Sequence, residues 1–161
     1  MAKKKTNLKY NGKVNITVNK KKYKSHNAGA DYLFELFARF LSGYKIDPSS
    51  LPRYITIKAE SVDGGMSTTI LNNSIMVTTE TVLADNQKYA TRITATLVAS
   101  NIAVDAISDY ENFELWLLNS DDIRIASTEI SSTVLEQVVE GRQAVIEWFL
   151  QVDNEEEIDA N

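Results

Sequence analysis

The chain has no cysteine, a single histidine, two prolines and six glycines in 161 residues. The missing cysteines exclude disulfides, thiolate metal sites and cysteine nucleophiles together, and they suit a reducing compartment. His26 is the sole imidazole and stands in a lysine-rich segment without a motif serine beside it. A histidine-based triad or a typical zinc site is therefore not expected. No run of apolar residues is long enough to span a bilayer: the longest, around Leu33 to Leu41, is broken by Glu35 and Arg39. The basic N-terminus is not followed by an apolar stretch, so no secretory signal is expected.

Charge is unevenly distributed. Residues 1–24 hold nine lysines and no acid, whereas the net charge of the whole chain is −5. Five carboxylates and no base lie between Asp153 and Asn161. This pattern suggests a basic arm, carrying Lys3, Lys4 and Lys5, on an acidic body. Such an arm can meet the acidic surface of a neighbouring copy or bind nucleic acid. No arginine or aromatic is interleaved with the first three lysines, which favours the neighbouring copy.

The elements read mainly as strands. Val14, Ile16 and Val18 alternate with polar residues, the period of a half-buried strand. Asn19-Lys20-Lys21 can turn, and Lys22 to His26 can return, which puts Lys20, Lys21 and Lys22 at an exposed hairpin end. The one clear helix runs from about Ala30 to Leu41, opened by Asn27 or Gly29 and stopped by Gly43. Leu33, Phe37, Phe40 and Leu41 recur at helical spacing, a stripe expected to pack into the core or onto a neighbouring subunit. Strands follow at Tyr54–Lys58 and Thr91–Ala99, with weaker ones near Ile75–Val77 and Thr79–Leu83. The polar segment 61–74 turns at Asp63-Gly64-Gly65, and Asp85-Asn86-Gln87 is a connection. The last third holds strands at 113–119, 122–126 and 143–152, while Val134 to Val139 fits either a strand or a helical turn.

Strands separated by turns, without a βαβ rhythm, predict a mainly β chain: an antiparallel β-sandwich, jelly-roll or immunoglobulin-like, with one short amphipathic helix near residues 30–42. The expected organisation is a flexible basic arm over 1–11, one sandwich domain over 12–153 and an acidic disordered tail over 154–161.

Candidate chemistry is sparse. Asp121-Asp122 and the acidic tail lack the offsets of a calcium loop, and Val62 to Met66 lacks the ending of a phosphate loop. No catalytic residue, cofactor or metal site is expected. On the last strand Ala144, Ile146, Trp148, Leu150 and Val152 share one face. Val145, Glu147 and Phe149 share the other, where apolar groups on a polar face mark a candidate interface. Trp148 is expected to anchor the core and Trp116 to pack nearby. The alternative for Trp116 is a ring platform for carbohydrate.

The order of elements resembles small virion structural proteins of tailed bacteriophages. The resemblance rests on Val14 to Asn27, the aromatic helix Tyr32 to Gly43, the proline loop and strand Leu51 to Ile57, and the later segments Ile93–Leu97, Phe113–Leu117 and Val139–Leu150. The glycine-rich stretch usual after the proline loop is reduced here to Gly64-Gly65. The resemblance implies a non-enzymatic, self-associating subunit of a collar or tail ring, or a capsid-associated protein, located in a virion assembled in the host cytoplasm. Its partners would be other copies and other virion proteins, with nucleic acid reached through the basic arm and no membrane. The alternative is a sandwich module that binds carbohydrate or nucleic acid.

Overall fold

The computed structural model describes residues 3–26, 28–29, 31–83 and 87–159, and the side chains of 12–25, 32–83 and 87–151. Among the described residues, eleven strands form two antiparallel sheets, accompanied by two α-helices. One sheet has the order β2-β1-β11-β8-β7, from Lys21–His26, Lys3–Val18, Ala144–Asp159, Tyr89–Leu97 and Thr78–Leu83. The other has the order β3-β10-β9-β4-β5, from Ala28–Gly29, Arg124–Glu129, Tyr110–Leu118, Tyr54–Ser61 and Ser67–Thr69, with β6 (Ile75–Met76) also paired to β4. The mainly β expectation holds.

Both sheets feed one core. Val14, Ile16 and Val18 of β1, Ile93, Ala95 and Leu97 of β8, and Ala144, Ile146 and Trp148 of β11 are buried. They join Ile55 and Ile57 of β4 and Leu115 and Leu117 of β9 in the same cluster. The period-2 alternation of the sequence thus faces inward from two directions. Ser25 of β2 and Thr128 of β10 bridge the sheets through their hydroxyls at 2.8 Å.

The β1–β2 hairpin turns on Asn19 and Lys20, both at positive φ (50° and 64°). Two consecutive left-handed residues match the right-handed twist of the strands, so a two-residue turn suffices. Helix α1 (Asp31–Leu41) ends where Gly43 takes φ 82° and Tyr44 N donates to Arg39 O at 3.1 Å, the left-handed glycine stop the sequence implied. The segment Val134–Val139 resolves as helix: α2 is Ser132–Val139, capped by Ser131, whose hydroxyl accepts from Thr133 N.

The structure differs from the sequence reading at both ends. From Lys3 the expected flexible arm 1–11 is strand β1, and the expected tail 154–161 is strand β11 as far as Asp159. They pair antiparallel, with Lys3 opposite Asp159, Lys5 opposite Glu157 and Lys9 opposite Asp153. Opposite charges directly across a ladder each favour pairing by about 0.2–1 kcal/mol, and neither end reveals this when read alone. Within 61–74 the structure also adds β5 and buries Ile70 and Leu71. The positions Asn27, Ala30, Asp85 and Asn86, and 160–161 of the tail, lie outside the described residues.

Candidate functional site

The largest departure from expectation is α1. Its start is anchored: Tyr32 and Leu33 pack against the core, and the Asn119 side chain donates to Tyr32 OH at 3.0 Å. Asn119 is fully buried. Its Oδ1 accepts from the backbone of Asp121 (2.8 Å) and Ile123 (2.9 Å), so one side chain shapes the β9–β10 turn and holds the helix. Ser120 N donates to Ser49 O at 3.1 Å and ties the proline loop to the same turn. In that loop the Asp47 carboxylate accepts from Ser49 N at 3.0 Å, and this backbone bond holds its pKa below the usual carboxylate range.

The rest of the helix stands clear of the core. Phe34 is 51% exposed, Phe40 66% and Leu41 63%, so of the two expected surroundings, core or neighbouring subunit, the core does not take up these side chains. Between the helix and the far end of the first sheet lies a cavity of about 670 Å³. Phe34, Phe37 and Phe40 form one wall, Tyr89, Thr91 and Leu150 the other, and none of the lining residues is charged. Leu150 lies beyond Trp148 on the inner face of β11, where the second sheet no longer covers it, so it remains only half-buried. The size suits a binding groove.

The candidate interface of β11 is a half-buried ridge. Val145, Glu147 and Phe149 do share the outer face, each at intermediate exposure. Glu147 is engaged there: its Oε2 lies 3.1 Å from Arg92 Nε, while Arg92 Nη1 meets Glu80 Oε1 at 2.8 Å. The Glu147 approach is a charge contact without aligned hydrogen-bond geometry. One guanidinium thus links strands β7, β8 and β11.

The lysines do not form one patch. Lys20, Lys21 and Lys22 are exposed at the β1–β2 hairpin, with Lys21 Nζ 5.0 Å from the Tyr23 ring centroid. Lys3, Lys4 and Lys5 occupy the opposite end of β1. The thirteen residue steps of strand from Lys5 to Val18 separate the two groups by roughly 40 Å at about 3.3 Å per residue. The arm lysines and the hairpin lysines are therefore two separate groups.

Trp148 is fully buried, as expected for a core anchor. Trp116 is half-buried on the outer face of the second sheet, opposite Thr56 and Ser127. Lys58 Nζ and Arg124 Cζ lie 5.5 and 5.0 Å from its ring centroid, and its Nε1 donates to Glu114 at 2.8 Å. Strand alternation placed Trp116 on its face, but the cations come from β4 and β10 and needed the sheet order.

Among the described residues, no group of three or more histidines or carboxylates could hold a metal ion. No helix among them is long and apolar enough to cross a membrane. Comparison with protein-family models, with curated proteins and with solved structures gives no match.

Proposed function

We propose that the chain is a non-enzymatic structural subunit that associates with copies of itself and with other virion proteins in a tailed-phage particle assembled in the host cytoplasm. It would serve in a collar or tail ring, or as a capsid-associated protein. The fold we propose is a β-sandwich of jelly-roll or immunoglobulin-like type, supported by two antiparallel sheets that share one core. The assignment to a virion rests on the resemblance in element order. The observation that carries self-association is the uncovered aromatic stripe of α1 over an uncharged cavity, since exposed apolar patches of this kind mark interaction surfaces.

Native mass spectrometry and light scattering of the full chain test the reading. An assembly that grows with concentration is expected. A strictly monomeric chain at high concentration that retains no virion protein would count heavily against it.

One observation favours a second reading. Trp116 with Lys58 and Arg124, beside Tyr54 under Arg53 (5.7 Å from ring centroid), joins aromatic and cationic groups on one face. Such a surface suits an anionic saccharide or a single nucleic-acid strand. Ligand-dependent quenching of Trp116 fluorescence with a steep salt dependence would support this reading, and unchanged fluorescence would sink it.

A further inference from the structure

Past Asn11 and Gln151 the two longest strands leave their neighbours. β2 flanks β1 only over Lys13–Val18, and β8 flanks β11 only over Ala144–Leu150. Among the described residues, 3–10 of β1 and 152–159 of β11 therefore pair as strands only with each other. They make a two-stranded ribbon whose outer edges take no strand partner among the described residues. A lone ribbon is marginal in water, and a free edge is a template for another strand.

The two edges carry opposite charge. Residues 3–10 include Lys3, Lys4, Lys5 and Lys9 and no acid, whereas 152–159 include Asp153, Glu155, Glu156, Glu157 and Asp159 and no base. Pairing like edges of two copies would put lysine strand beside lysine strand, or carboxylate strand beside carboxylate strand, which the ladder disfavours. Pairing β1 of one copy with β11 of the next keeps basic and acidic strands alternating at every step. Charge complementarity therefore selects the head-to-tail arrangement over the two-fold one.

We propose that this ribbon is the assembly element, its basic β1 edge adding to the acidic β11 edge of a second copy. The proposal rests on the self-association reading carried by α1 and adds to it a second surface and a direction. Such a heterologous contact repeats, and it closes into a ring where the rotation permits.

The test measures assembly of the full chain by light scattering at low salt and at about 1 M salt, where charge interactions are screened to about 3 Å. One variant reverses the basic edge (Lys3→Glu, Lys4→Glu, Lys5→Glu) and another the acidic edge (Glu155→Lys, Glu156→Lys, Glu157→Lys). The wild type is expected to assemble at low salt and to weaken at least about tenfold at high salt. Each variant alone should assemble more weakly, since it also sets like charges across its own ribbon, and the chain carrying both reversals, which restores opposite charges at positions 5 and 157, should assemble again. Hydrogen exchange of the wild type adds a readout that does not depend on the variants' folding: amides of 3–10 and 152–159 should gain protection as concentration rises.

Wild-type assembly that both variants retain in full, a doubly reversed chain that assembles no better than either, or ribbon amides indifferent to concentration would each overturn the ribbon contact while leaving self-association standing. A wild type that never assembles would overturn both.

Discussion

Helices α1 and α2 are both amphipathic, and both stop at a glycine with positive φ, Gly43 and Gly141. Yet they meet opposite environments. Val134, Leu135 and Val138 of α2 are fully buried, with the helix set against β1 and the turn Ile107–Asp109. The longer α1, with three phenylalanines, leaves Phe34 and Phe40 more than half exposed. An apolar stripe states that a helix needs a covering surface. It does not state whether the same chain supplies one. Here Val134, Leu135 and Val138 of α2 join the strand side chains in the core, and α1 is anchored at its beginning, through Tyr32, Leu33 and Asn119.

The comparison can be broken by substitution. The largest effect is expected for Leu135→Ala, which empties a fully buried site on α2 and should cost about 2–5 kcal/mol in denaturant unfolding; a cost below about 1 kcal/mol would mean α2 is not core. Next is Asn119→Ala. It removes the acceptor for two turn amides and the bond to Tyr32, with an expected loss of about 1–3 kcal/mol. Amide exchange over α1 should also quicken, while α2 stays protected.

On α1, Phe40→Ser should change unfolding stability by no more than about 0.5 kcal/mol, as at an exposed site. Concentration-dependent association should weaken at the same time. A large stability loss would show that the stripe is covered within the monomer.

The smallest effect is the pH response of Asp47. Its carboxyl is held below the usual range by Ser49 N–H, so the bond's contribution is complete above the ordinary aspartate pKa and is lost as pH falls through the lowered one. The Ser49 amide shift should follow that loss below about pH 4, and Asp47→Asn should abolish the titration.

Much of the sheet was legible from alternation alone. Val14-Ile16-Val18, Ile93-Ala95-Leu97 and Ile146-Trp148 face the core as their spacing requires. Segments without a clean period were less legible. Val134 to Val139 fits strand or helix by pattern, and burial against β1 decides for helix. Ile70 and Leu71 lie in a polar, turn-rich stretch, yet they are buried because β5 returns along β4. Asn119 looks like any loop asparagine until the turn closes around its side chain.

The sequence by itself determined the mainly β character, the positions of most strands, the stop of α1 at Gly43 and which face of β11 is apolar. These follow from local backbone preferences and from a side-chain period that neighbouring residues share. Only the tertiary structure decided that α1 keeps an open groove, that Trp116 lies between two cations, and that the basic and acidic ends form one ribbon. Each depends on residues far apart in the chain being brought together: Lys5 meets Glu157 only because β1 and β11 are neighbours in the sheet.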